Sequence, residues 1–97
     1  MQLIDEIEQQ LDEWEESAKK ELAIPEVLTK DQQIDVDDLI REHHENDIRR
    51  AIDRIDAALA TLESQLDDEH LSEKVRDEIE QQQDRLEALK DRLYALL

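Results

Sequence analysis

The 97-residue chain carries 29 Asp and Glu against 12 Lys and Arg, a formal net charge of −17, with no glycine, cysteine or phenylalanine and a single proline. This length supports one small domain with at most an appended arm. The missing residue types exclude a disulfide frame, thiolate nucleophiles, Cys-type zinc sites and glycine-dependent phosphate loops. A charged fraction of 42% is disorder-like, but the 26 Leu, Ile and Val fall mostly at helical spacing, which predicts an ordered, all-α fold. The start, Met-Gln-Leu-Ile-Asp-Glu, lacks the basic and apolar regions of a secretory leader, and no run reaches the length of a membrane span. The expectation is a soluble, cytoplasmic protein with no membrane contact.

Ile4, Ile7, Leu11, Trp14 and Ala18 recur at steps of three and four, so residues 2–22 read as an amphipathic helix with a heptad-like apolar face. Glu15 with Lys19 and Glu16 with Lys20 are favourable pairs one turn apart. Pro25 then ends the helix, because proline removes a donor and pushes its predecessor out of the α region. Residues 23–35 form a hinge whose Ile24, Val27, Leu28 and Ile34 are expected to pack. Thr29-Lys-Asp-Gln32 fits a capping box and offers an early start for the next helix, with Asp35 the later option.

From about residue 36 to 66 the stripe Leu39, Ile40, Ile48, Ala51, Ile52, Ile55, Ala58, Leu59, Leu62 and Leu66 predicts one helix, wide enough on its apolar side to touch two neighbours. A break near Asn46-Asp47 is available, since both are good N-caps, but continuity is the simpler reading. Asp67-Asp68-Glu69-His70-Leu71-Ser72 interrupts the stripe, and Ser72 can cap a third helix that carries Val75, Ile79, Gln82, Leu86, Leu89, Leu93 and Leu96 to the end. Two helices of similar length about one turn predict an antiparallel, coiled-coil-like helical hairpin, with one polar layer, Gln82-Gln83, opposite the small residues Ala57, Ala58 and Ala60. The organisation is then an N-terminal acidic helix and Pro-containing hinge over 1–35 and the hairpin over 36–97. Together they make a three-helix bundle or, through a second copy, a dimeric helical bundle. Residues 1–47 hold 16 acids against 4 bases and residues 48–97 hold 13 against 8, net −12 and −5, so the acidity is concentrated N-terminally.

Candidate chemistry is sparse. His43, His44 and His70 are the only histidines. His44 with Asp47 and Asp67 with His70 share helical faces, but neither pair is Glu-x-x-His and His70 sits at the far turn, so no metal site is expected. His44 reads instead as a boundary residue near Leu96 and Leu97. Asp31, Asp35, Asp37 and Asp38 lack the glycine an EF-hand turn needs. An elongated hairpin with its acids outside offers no desolvated pocket for acid–base catalysis, so neither enzyme activity nor a cofactor is expected. Arg49, Arg50 and Arg54 stand among Asp47, Asp53 and Asp56, which argues for helix pairing and against direct nucleic-acid binding.

The acidic turn Asp67-Asp68-Glu69, carried at the end of a helical hairpin, resembles the tip of the transcript-cleavage factors whose N-terminal hairpin enters the secondary channel of RNA polymerase. Leu71-Ser72-Glu73 is similar to the Leu-Ser-Glu of that family's tip motif. His70 stands where the family has an acidic residue and Lys74 where it has asparagine, and the 97 residues hold no counterpart of the family's C-terminal domain. The likeness is one of architecture, and no function is carried over.

Two functions follow as expectations. The first is a non-catalytic adaptor, regulator or self-assembling bundle that meets a protein partner, or its own copy in a homodimer, through the helix face of Ile4, Ile7, Leu11 and Trp14. The second is an acidic inhibitor or nucleic-acid mimic that covers the basic surface of a DNA- or RNA-binding protein with Glu8, Asp12, Glu15, Asp35, Asp37 and Asp38. Asp67, Asp68 and Glu69 at the hairpin tip complete the candidate residues. A third origin for the charge is adaptation to a high-salt cytoplasm, in which case it carries no information about partners.

Overall fold

The apolar periodicity resolves into three α-helices in a computed structural model that describes residues 2–23 and 29–97. They are α1 (Gln2–Leu22), α2 (Lys30–Leu66) and α3 (Glu73–Leu96), and the described residues contain no strand. The fold is all-α. Among the described residues no helix is long and apolar enough to cross a membrane. Ile24, Pro25, Val27 and Leu28, and with them the expected proline stop, lie outside the described residues.

Each boundary has a local cause. At the end of α1, Ala23 takes a left-handed conformation at φ 53° and its N–H donates to the Lys20 carbonyl at 3.2 Å. That is the C-terminal stop usually given to glycine, which this chain does not contain. At the start of α2 the capping box is complete. Thr29 Oγ1 accepts from the Gln32 N–H at 3.2 Å, and the Thr29 N–H donates to Gln32 Oε1 at 3.0 Å. The helix therefore takes the early start, and residues 30–35, assigned to the hinge by sequence, are helical. Ile34 is 58% exposed, contrary to the packing expected of it. Once the helix begins at Lys30, Val36 and Ile40 share the buried side one turn apart, and Ile34 lies about 200° around the axis from Val36.

Helical continuity through the middle of α2 also needs correction. His44 has φ −132° and ψ 20°, a break between two helical stretches. On an unbroken helix Val36 and Ile40 would stand about 120° and 80° around the axis from Ile48, at about 100° per residue. All three are nevertheless buried in one core. The break changes the phase of the stripe, so both stretches of α2 turn their apolar side inward.

The reversal between α2 and α3 is held locally. The Asp67 and Asp68 N–H groups donate to Ser64 and Gln65 carbonyls at 3.3 and 3.2 Å, and Asp68 Oδ1 accepts from the His70 N–H at 2.9 Å. Ser72 then caps α3 by accepting from the Val75 N–H at 3.2 Å. Asp56 meets Lys90 and Arg41 meets the Leu97 carbonyl, so α2 and α3 run in opposite directions. α1 lies against both, with Glu6 at 3.0 Å from Arg54 of α2 and Glu8 at 3.6 Å from Arg85 of α3.

Among the described residues seventeen buried side chains, all apolar, form one cluster drawn from the three helices. Burying each Leu or Ile stabilises the fold by about 2 kcal/mol before chain entropy is counted. Val36, absent from the stripe read in the sequence, is fully buried, whereas Val75, expected within it, is 39% exposed. The molecule is elongated, 54 × 25 × 20 Å.

Candidate functional site

The apolar face of α1 has an internal destination. Ile4, Ile7, Leu11 and Trp14 are all buried in the cluster shared with α2 and α3 of the same chain. Of the two destinations open to this face, a partner or the chain's own hairpin, it takes the second: α2 and α3 of the same chain cover it. Trp14 anchors it: the indole stacks on the imidazole of His44, with centroids 5.0 Å apart and planes 17° from parallel. His44 therefore sits beside α1. Arg41, one turn earlier, reaches Leu97, its Nη1 donating to the carbonyl at 3.4 Å.

Around this stack the break in α2 gathers polar groups. His44 Nδ1 lies 3.8 Å from Asp47 Oδ2, and His43 Nε2 lies 3.8 Å from Glu21 Oε2 on the last turn of α1. Each is an ion pair only when its imidazole is protonated. A shallow recess of about 260 Å³ lies here, bounded by Trp14, Ala18, Glu21, Ile40, His43 and His44. No group of three or more His, Cys, Asp or Glu side chains converges on a point among the described residues.

The acidic residues named from the sequence differ in exposure and pairing. Glu8 is half-buried against Arg85, and Glu15 pairs with Lys19 at 3.6 Å. Asp37 accepts from Gln33 Nε2 at 2.9 Å and shares a groove of about 300 Å³ with Glu15, Leu11 and Arg92. Asp12 and Asp35 are exposed, and Asp38 is exposed but pairs with Arg41 at 3.0 Å. A row that composition alone did not single out is clearer. Asp31, Asp35, Asp38, Glu42 and Glu45 follow one another at steps of four and three on α2, and all are exposed. Its signal was in the sequence as a second, polar heptad beside the apolar one.

Charge compensation is strongly one-sided. The six Lys or Arg ion pairs and the two His–carboxylate contacts among the described residues lie within residues 6–56 and 85–90, and none involves residues 57–84. Part of the N-terminal acid excess is therefore matched by Arg54 and Arg85, which the sequence places on the less acidic half. Lys90 is held above its ordinary pKa, first by its hydrogen bond to Asp56, with desolvation opposing, and its ammonium lies 5.8 Å from the centre of the Tyr94 ring. The tip residues Asp67, Asp68 and Glu69 are all exposed, with the Asp67 backbone and the Asp68 side chain engaged in the turn itself.

Comparison with protein-family models, with curated proteins and with solved structures finds no match to this chain.

Proposed function

We propose that the chain is a non-catalytic, acidic helical protein of the cytoplasm that works by contact with another protein, as an adaptor or regulator. Its C-terminal pair of helices is taken as a coiled-coil-like hairpin and α1 as the helix that completes a three-helix bundle. The observation that carries this reading is the contrast between an interior without a single buried polar or charged residue among those described and an exterior dense in carboxylates. General acid–base chemistry requires a partly desolvated ionisable group beside a concave substrate site. Here the carboxylates stand in water, where their differentiated property is charge.

Self-association through α1 is the less supported form, because Ile4, Ile7, Leu11 and Trp14 are already covered by α2 and α3. The test is affinity purification of the tagged chain from its native host with chemical crosslinking and mass spectrometry. Stoichiometric recovery of a second protein is expected. Recovery of the chain alone, together with turnover of any substrate by the purified protein, would remove the reading.

A second reading is favoured by the row Asp31, Asp35, Asp38, Glu42 and Glu45. From Asp31 to Glu42, ahead of the break at His44, it extends about 16 Å along the helix, a track of carboxylates suited to a basic DNA- or RNA-binding protein. In this version the chain acts as an acidic inhibitor or nucleic-acid mimic and does not itself bind nucleic acid. Competition between this chain and a DNA duplex for such a protein, weakening steeply as salt is added, is the expected result.

A further inference from the structure

α1 lies along the trough between α2 and α3. Its contacts Glu6–Arg54 and Glu8–Arg85 mark its N-terminal end, and the helix begins at Gln2, about 6 Å beyond Glu6 at 1.5 Å per residue. Thr61, one heptad past Arg54, lies about 10 Å farther along α2 than that arginine. Beyond α1 the trough continues as a groove of about 390 Å³ whose lining includes Thr61, Gln65 and Asp68 of α2 and its turn, and Leu71, Val75 and Ile79 leading into and along α3. Thr61 and Asp68 stand one and two heptads from Arg54, and Leu71 stands two heptads from Arg85. The groove thus follows the same helical track that α1 occupies farther down.

The packing at this end is correspondingly thin. Of the seventeen buried core residues only Leu62 and Ile79 fall between 57 and 84, while Val75 remains 39% exposed within the groove and Leu71 is half-buried. Charge then discriminates between occupants. Residues 61–80 carry eight acids against Lys74 and Arg76, a net of −6 without His70, and none of these charges enters an ion pair among the described residues. A second copy of a chain of net charge −17 would be repelled here. A cationic helix would be attracted.

We propose that the groove between Thr61–Asp68 and Leu71–Ile79 is a docking site for a basic amphipathic helix of a partner protein. Its apolar residues lie against Leu71, Val75 and Ile79, and its Lys and Arg side chains are drawn by Asp68 in the lining and by the exposed acids that residues 61–80 carry in excess. About two turns fit, since Leu71 to Ile79 extends roughly 12 Å. This deepens the interaction reading above and rests on it.

The experiment uses the full chain, isotopically labelled for NMR, and a 14-residue synthetic helical peptide with Leu at the a and d positions and Lys elsewhere. Its control is a scrambled peptide of identical composition and charge with no apolar face. Amide shifts centred on Thr61, Gln65, Leu71, Val75 and Ile79 are expected, with binding at least tenfold tighter than for the control and at least tenfold weaker in Val75→Glu. Thr61→Glu, at an exposed site, serves as the second variant, and unchanged Trp14 fluorescence reports that either variant remains folded. Equal binding of both peptides, shifts centred on the Asp31–Glu45 row, insensitivity to both variants, or a dimer of the chain formed through Val75 would each overturn the proposal. Such a failure concerns the groove alone, whereas the interaction reading fails on the absence of any partner in the host.

Discussion

The Trp14 indole and the His44 imidazole lie face to face, 5.0 Å apart and 17° from parallel, and the only described departure from helical geometry inside α2 is at that same histidine. The aromatic pair joins α1 to the bend that lets both stretches of α2 share one core. Trp14→Ala is expected to destabilise the fold by about 3–5 kcal/mol through the cavity it leaves. His44→Ala removes the stacking contact and should cost about 1 kcal/mol. Urea unfolding followed by circular dichroism measures both, and equal losses in the two variants would count against the ranking.

Ala23 adopts φ 53°, a conformation that a side chain with Cβ disfavours. Ala23→Gly should stabilise the protein by about 0.5–1 kcal/mol, the relief of strain outweighing the added freedom of the unfolded chain. A rise in melting temperature without change in helical signal is the expected outcome.

The capping box at Thr29 holds the first turn of α2. Thr29→Ala should cost about 1 kcal/mol, and the loss should be local. Amide exchange ought to accelerate over residues 30–35 and leave α3 unchanged, because Val36 begins the buried anchorage of this stretch.

Lys90 has its pKa raised, chiefly by the hydrogen bond from its ammonium to Asp56. A group whose folded pKa exceeds its unfolded value contributes stability that is fully present below the unfolded value, here the ordinary 10.5, and is lost as pH rises through the folded value. Asp56→Asn should therefore lower the Lys90 pKa in an NMR titration and flatten the stability profile at alkaline pH only. A change confined to acidic pH would contradict this assignment.

A chain of net charge −17 with a large region free of ion pairs repels itself. Added potassium chloride should raise the melting temperature, since screening relieves the repulsion while the exposed pairs contribute little. If folding requires molar salt, the acidity belongs to the environment; if the fold is complete at low salt, surface recognition remains its reason.

The three helices were legible from residues alone because each carries its apolar side chains at helical spacing and its own terminal signals. Thr29 and Gln32, and Ser72 before Val75, act within four residues of chain, so nothing distant can override them. The heptad of α1 likewise identified Ile4, Ile7, Leu11 and Trp14 as a face to be buried. It could not say against what, because a neighbouring helix of the same chain and one of another chain present the same apolar surface. Val36 and Ile34 were misplaced for a related reason: their exposure depends on where α2 begins and where it breaks, and a periodic pattern has no absolute phase.

What the sequence by itself determined is the all-α class, the helix count and the excess of acid, all set by local spacing and composition. The tertiary structure alone decided that α1 folds back on its own chain, that Trp14 meets His44, and that Glu6 and Glu8 are answered by Arg54 and Arg85. Each of these is a contact between residues at least thirty positions apart in the chain, or follows from such contacts. Only the packed arrangement of the helices sets which long-range pairs meet.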